Sequence, residues 1–581
     1  MKNKQESRVK MAMSDLFKKK EPPRTTNLST PWMEQPAVPW NEYPRPQLRR
    51  ESFLCLNGKW QLTCSGEDWG EILVPYPVES QLSGVQRMLQ KGDVLTYRRE
   101  FTLPEGFVKE KVLLHFGAVD QRCKVYVNDQ PAGEHEGGYL PFCFDITALL
   151  RESSNTLRVE VVDDLDHDLP YGKQRWDRGG MWYTPVSGIW QTVWLESVPA
   201  NHIEALRIST TMDSMTLEVT GGEEEKTLLL GDKQYTFTGN SFTLRPEKTR
   251  LWSPEDPFLY EFTLISGEDR VESYFALRSI TAETVHGWPR LCLNGRPYFF
   301  HGLLDQGYCP DGIFLPGRPE GFTYDVATMK ELGFNTLRKH IKIEPERFYY
   351  DCDRLGMVVF QDLINSGDYY YLRDTAFPTL GLKSGTYHPR PSRKRDEFFK
   401  RHAKETLEHL HNHPCILLYT LFNEGWGQHD TQALFEQVKA WEPERIWNAA
   451  SGWFKNSDSD VQSEHIYFGK LAMKADGKRP LLLTEFGGYS WPVPGHRFNL
   501  DKEYGYQKYT NSAELQEGLS ALYRGDILPQ VKTGLCGCVL TQVSDVEDET
   551  NGLVTYDRQV VKVDPDAMRA IAAELQAAIQ E

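Results

Sequence analysis

A chain of 581 residues is too long for one ordinary hydrophobic core, so three or four domains are expected. With 40% hydrophobic and 25% charged residues it has a globular composition, and its net charge of −16 argues against nucleic acid, which is bound through clustered Lys and Arg. No apolar run reaches the ~18 residues of a membrane span, and the charged opening MKNKQESRVKMAMSDLFKKK lacks the apolar stretch of a signal peptide, so a cytoplasmic protein without membrane attachment is expected.

Residues 1–35 are polar, basic and interrupted by proline, which predicts a mobile arm. Short strands between turn signals follow over 36–200. Phe53–Leu56 and Lys59–Leu62 flank Asn57-Gly58, which predicts a two-residue hairpin. Further strands are read at Tyr97–Leu103, Lys111–Phe116, Cys123–Val127, Thr156–Val162 and Gly188–Leu195, the grammar of an all-β jelly-roll sandwich. Residues 201–283 alternate again at Met215–Val219, Lys226–Leu230, Gln234–Thr238 and Phe258–Leu264, which suits a small immunoglobulin-like sandwich. The ten cysteines are scattered, mostly in apolar runs; Cys536 and Cys538 lie two apart in a strand and read as buried thiols rather than metal ligands.

From 284 to 581 strands and helices alternate. Strands are read at Tyr298–Leu304, Asn335–His340, Met357–Leu363, Cys415–Phe422, Arg445–Ala450, His465–Phe468, Pro480–Thr484 and Leu535–Thr541. Helices fall at Tyr324–Leu332, Pro345–Leu355, Arg393–His411, Ala513–Tyr523 and Asp566–Ala578. A doubly wound sheet alternates similarly, but eight units favour closure into a TIM barrel. On that reading Glu424 ends strand 4 and Glu485 ends strand 7, and strand ends are where barrels place their chemistry. Double-displacement glycoside hydrolysis needs two carboxyls about 5–5.5 Å apart, one to protonate the leaving oxygen and one to attack the anomeric carbon. One strand-end Glu alone reads equally well as half of an ion pair; the two together point to a retaining glycosidase. The aromatic content of 12%, with 15 Trp, suits sugar stacking as well as ordinary packing.

HNHPCILLYTLFNE (411–424) followed by LLLTEFGG (481–488) resembles glycoside hydrolase family 2, which includes β-galactosidases, β-glucuronidases and β-mannosidases. VPYPVESQLSGV (74–85), TYRREFTLP (96–104), GAVDQRCKVYVNDQPAGEHEGGYLPFCFDIT (117–147) and SGIWQTVWLE (187–196) resemble the family's sugar-binding domain, and LWSPEDPFLY (251–260) and FALRSI (275–280) its linking sandwich. The resemblance implies Glu424 as acid/base, Glu485 as nucleophile and Asn423 as a partner for the sugar 2-hydroxyl. It implies that Arg338 and His340 orient the nucleophile or a hydroxyl and that Tyr467 supports the nucleophile. Trp426, Trp453 and Trp491, on loops near strand ends, are candidate stacking walls or interdomain packing. Asp545 and Glu547, after strand 8, are candidate readers of sugar hydroxyls or members of a rim salt bridge.

Departures from the family pattern concern the substrate. Gln361-Asp362-Leu363-Ile364-Asn365 stands where the familiar β-galactosidases carry a magnesium-binding Glu-x-His, so neither a metal nor another cofactor is expected. Asp305-Gln306 replaces a His-Glu pair after strand 1, leaving Asp305 as a candidate substrate contact. The Asn-x-Lys that reads a glucuronide carboxylate is absent from 284–581. Gly180 or Trp182 stands where an Asp of the sugar-binding domain reaches the site, with Asp177 as a candidate replacement. The expectation is an exo-acting, retaining β-glycosidase acting on a β-galactose-like terminal sugar of a glycoside, with oligomerisation left open. A hexuronidase using Lys339, Lys342 or Arg373 is the alternative, and a glycan-binding protein that has lost catalysis is the alternative of another class.

Overall fold

The computed structural model describes residues 24–377, 390–453 and 457–581. The predicted arm divides: residues 1–23 lie outside the described residues, whereas 24–35 are seated on the body of the protein. Thr30 donates from both its amide (2.9 Å) and its hydroxyl (2.5 Å) to the buried Asp311 carboxylate, and Thr25 bridges to Asn499. A polar segment can dock where its hydroxyls and amides meet buried acceptors, and composition does not reveal those acceptors.

The first domain is a sandwich. A six-stranded antiparallel sheet runs in the order Glu67–Val74, Gly58–Cys64, Val94–Phe101, Asn155–Val162, Arg122–Val127, Gln130–Glu136. It faces a four-stranded sheet of Leu54–Cys55, Val193–Val198, Lys111–Phe116 and Phe142–Asp145. Asn57-Gly58 is not the predicted hairpin turn: Leu54–Cys55 pairs with 194–195 in one sheet, while Gly58–Cys64 pairs with the strands at 67–74 and 95–98 in the other. Asn57 is fully buried at the crossing, where Nδ2 donates to Pro39 O (3.0 Å) and Oδ1 accepts from Val193 N (3.0 Å). The same letters at 291–295 do form a hairpin, with Leu293 opposite Arg296 and Asn294 and Gly295 both left-handed, as a tight primed turn requires. A second, smaller sandwich joins three strands (Ile203–Thr210, Met215–Gly221, Ser241–Leu244) to four (Lys233–Thr238, Glu225–Leu230, Tyr260–Ser266, Asp269–Phe275).

The remainder is a (β/α)8 barrel. Its strands are Phe300–Asp305, Thr336–Lys339, Val358–Asp362, Ile416–Asn423, Ile446–Ser451, Gln462–Ile466, Leu481–Gly487 and Leu535–Thr541, here strands 1 to 8. Neighbours pair in parallel, and strand 1 pairs with strand 8, which rules out a doubly wound sheet; among the described residues the ladder is open between strands 5 and 6. Strands 4, 7 and 8 are buried along their whole length, which is why they read as continuous apolar runs. Strand 6 begins earlier than predicted: the pair Tyr467-Phe468 looked like strand core, but Phe468 is 61% exposed and lies past the strand end. The barrel core continues without interruption into Tyr139, Tyr171, Trp182, Tyr183 and Trp190 of the jelly-roll domain. The loop carrying Tyr171 to Tyr183 thus lies across the C-terminal rim of the barrel, where Tyr171 N donates to Asn365 O (3.1 Å).

Candidate active site

Glu424 follows the last residue of strand 4 in a left-handed conformation (φ 53°), with its amide donating to Ser451 O (2.9 Å). A non-glycine residue held there costs on the order of 1 kcal/mol, and such strain gathers at functional sites. Glu485 lies inside strand 7, at a break in the ladder: the register with strand 6 slips between Glu464 and His465, and with strand 8 between Leu483 and Phe486. A bulge re-aims a side chain, and the Thr484 carbonyl freed by this one accepts from Arg338 (3.1 Å). The two carboxylates are thereby brought to the same place: oxygens of Glu424 and Glu485 and a ring nitrogen of His465 all lie within 4.8 Å of one another.

Arg338 is the centre of the network. Its guanidinium is held in a two-bond fork by Asp362 (both 3.0 Å), donates to Glu485 Oε1 (2.9 Å) and donates to Asn423 Oδ1 (2.7 Å). With Oδ1 occupied, Asn423 has its NH2 left to offer a ligand. Asp362 also accepts from His340 Nδ1 (2.8 Å), and burial above all pushes His340 down to about 4, so it is neutral near pH 7. Tyr467 donates to Glu485 Oε2 (2.6 Å), contacts Thr541 Oγ1 (2.9 Å) and stacks on Tyr506 at 4.4 Å.

These surroundings separate the two carboxyls. Burial raises the pKa of Glu424, and the Glu485 charge adds to that rise against the opposing hydrogen bond from His465. Burial acts on Glu485 in the same direction but is overcome, above all, by the charges of His465 and Arg338, with help from the Tyr467 hydrogen bond, which take it to about 2. One carboxyl is biased to hold a proton and the other to remain a carboxylate, the division that acid and nucleophile need. His465 went unread in the sequence. Its Nδ1 lies 2.8 Å from Glu424 Oε1 and 3.6 Å from Glu485 Oε2, while Nε2 meets Ser451 Oγ at 2.9 Å. The three groups are compact enough for a metal, but the hydrogen bond at Nδ1 and the Arg338 cation on Glu485 suit proton transfer instead.

Other expected contacts are engaged elsewhere. Asp305 is bonded to Lys339 (2.7 Å), and Lys339 and Lys342 share the Glu344 carboxylate (both 2.8 Å), so none of the three is free to read substrate. Arg373 is paired with Asp374 (2.5 Å). Asp545 is buried against Lys562 (2.6 Å), and Glu547 accepts from Thr184 N (2.9 Å) and Arg178 (3.3 Å), tying the barrel to the jelly-roll loop. Trp426 is a packing residue: it is 3% exposed, donates to Gly367 O (2.7 Å) and meets Trp182 at 4.9 Å. Trp491 packs half-buried against the barrel core, and Asp177 pairs with Arg175 (2.8 Å). Trp453 stands half-buried at the rim, 6.1 Å from the His465 ring, and remains a candidate wall. Glu549 was also missed; it accepts from Tyr183 (2.8 Å) and Gln542 (2.6 Å), and its Oε1 makes no hydrogen bond among the described residues.

Residues 33–199 match the description "Glycosyl hydrolases family 2, sugar binding domain", and residues 290–473 match "Glycosyl hydrolases family 2, TIM barrel domain". The chain belongs to glycoside hydrolase family 2. The family 2 match ends before strand 7, so the placement of Glu485 rests on the geometry above. A β-galactosidase of Thermoanaerobacter pseudethanolicus is 25% identical over 438 residues, covering 69% of this chain and 54% of that protein. A β-glucuronidase of Felis catus is 24% identical over 429 residues, covering 65% and 61%. The chain spans about half the length of the first of these curated relatives. Among solved structures, a β-D-glucuronidase of Dictyoglomus thermophilum superposes with a TM-score of 0.72 at 18% identity, over 91% of this chain and 98% of that one. A β-galacturonidase of Eisenbergiella tayi gives 0.66 at 19%, over 92% and 98%. At those identities the structures speak for the shared fold.

Proposed function

We propose that the chain is a retaining exo-β-glycosidase. The observation that carries this reading is the approach of Glu424 and Glu485 oxygens to within 4.8 Å. Retaining enzymes hold their carboxyls about 5–5.5 Å apart, whereas inverting ones need roughly 6.5–9.5 Å to admit a water. Glu424 protonates the glycosidic oxygen as the Glu485 carboxylate attacks C1, and the aglycone leaves. Glu424 then takes a proton from water, whose oxygen attacks C1 and releases Glu485 and the sugar in its original β configuration. Asn423, through its free NH2, is placed to bond the hydroxyl next to the reacting carbon, an interaction that strengthens as charge develops. The jelly-roll loop across the rim closes one side of the site, which supports action at chain ends. Names among the relatives divide between galactosides and uronides, so they leave the sugar open.

The test uses variants and leaving groups. Glu485→Gln should lower turnover by about 10⁴-fold or more on every substrate. Glu424→Ala should cost about 10²–10⁴-fold on poor leaving groups and much less on dinitrophenyl glycosides, which need no protonation. Near-normal activity of Glu485→Gln would remove it as nucleophile, and turnover of no activated glycoside by the unaltered chain would favour a glycan-binding protein.

A further inference from the structure

The mouth of the barrel gathers carboxylates: Glu424, Glu485 and Glu549 are all near it. Arg338 is fully committed to Asp362, Glu485, Asn423 and the Thr484 carbonyl. Lys339, Lys342 and Arg373 are paired, as are Arg175 with Asp177 and Arg178 with Glu547. One neighbouring cation is not. Lys173, on the jelly-roll loop, is half-buried, and its Nζ makes no hydrogen bond or ion pair among the described residues.

The backbone around Lys173 is fixed on both sides. Lys173 O accepts from Tyr183 N (3.0 Å), and Gly172 N donates to Asn365 O (3.4 Å) at the end of the strand 3 loop. Gly172 is left-handed (φ 68°) and so close to the barrel that a Cβ would come 2.9 Å from the Ile341 carbonyl, next to His340. On the other side, the buried Gln174 donates to Asp120 (2.9 Å) and accepts from Val186 N (2.7 Å). From this anchored backbone the side chain runs past the Trp182 ring, with Nζ 5.4 Å from its centroid. The Lys173 charge bears on Glu424, His340 and Glu549, so it lies within electrostatic reach of the site. If it served only to neutralise those carboxylates it would contact one, and it contacts none.

An ammonium whose neighbour is an aromatic ring and which has no hydrogen-bond or ion-pair partner gains more from a charged acceptor than from a neutral hydroxyl. We propose that Lys173 reads an anionic substituent on the terminal sugar, a uronate carboxylate or a sulfate ester. The charge preference of this barrel would then be set by the sugar-binding domain. The proposal rests on the glycosidase reading above and names the substrate class of that site.

Its test compares p-nitrophenyl β-galacturonide, β-glucuronide and 6-sulfo-β-galactoside with the uncharged β-galactoside and β-glucoside, on the full chain and on Lys173→Met and Lys173→Arg. The unaltered chain should prefer an anionic sugar over its uncharged counterpart by at least about tenfold in kcat/KM. Lys173→Met should lower that ratio by about 10- to 100-fold, with Lys173→Arg between the two. The uronide and sulfate arms identify which anion is read. Preference for an uncharged sugar by the unaltered chain, or an equal loss on charged and uncharged sugars in Lys173→Met, would overturn the assignment while leaving the glycosidase reading intact. Should Lys173→Met not fold, the ratio for Lys173→Arg and inhibition of the unaltered chain by free galacturonate against galactose decide the matter. Turnover of no glycoside at all would instead overturn the glycosidase reading.

Discussion

His465 shows how a single side chain acts on two chemically identical ones at once. Its Nδ1 faces both carboxylates: its hydrogen bond and charge lower the Glu424 pKa, and its charge lowers that of Glu485. Removing it should therefore move the Glu424 and Glu485 titrations upward together. In a pH profile of kcat/KM the acid limb follows protonation of Glu485 and the alkaline limb loss of the Glu424 proton. His465→Ala should shift both limbs to higher pH, whereas a merely structural defect would lower the plateau and leave the limbs in place. Asp362 acts at the same scale through others: it holds Arg338 and His340, which in turn hold Glu485. The sequence singled out Glu424, Glu485, Asn423, Arg338 and Tyr467 from familiar strings at or near strand ends, and the structure brings these five into one network. Asp545 and Glu547 take the salt-bridge alternative, which the sequence could not choose because chain position cannot show which acid meets a base. Asp545 finds Lys562 nearby in sequence, while Glu547 finds Arg178 on another domain.

At the scale of elements, the barrel strands were legible because parallel strands covered on both faces are nearly continuous apolar text. Strand 6 was the exception, since its inward positions hold Ser463 and His465, and polar residues facing a site disguise a strand. The bulge in strand 7 leaves no mark in the string LLLTEFGG, yet it turns Glu485 toward Arg338. Asn57-Gly58 and Asn294-Gly295 carry the same letters to different ends, because local turn chemistry cannot tell a hairpin from a crossing between sheets. Asn57 is consequently structural. Asn57→Ala would leave Pro39 O and Val193 N without their partner, at a cost of about 1–3 kcal/mol. Urea unfolding should show a lower midpoint at an unchanged m value; an unaltered midpoint would contradict the crossing role.

At the scale of the whole molecule, the site is not the property of the barrel alone. The core passes from barrel to jelly roll through Trp182, Tyr183 and Trp190, and Tyr183 bonds Glu549 beside the carboxylate pair. A sequence reading assigns residues to domains one after another, so a loop from one domain that completes another's site is the feature it recovers least. The same arrangement explains why the barrel frame reads as family 2 while the residues around the carboxylate pair do not follow the familiar members. The central claim, that Glu424 and Glu485 work as a double-displacement pair, is tested most directly by following hydrolysis of an accepted aryl β-glycoside by proton NMR. The β anomer should appear first, with the α anomer growing only by later mutarotation. If the α anomer is the first product, the enzyme inverts and the assignment of Glu485 as nucleophile is wrong.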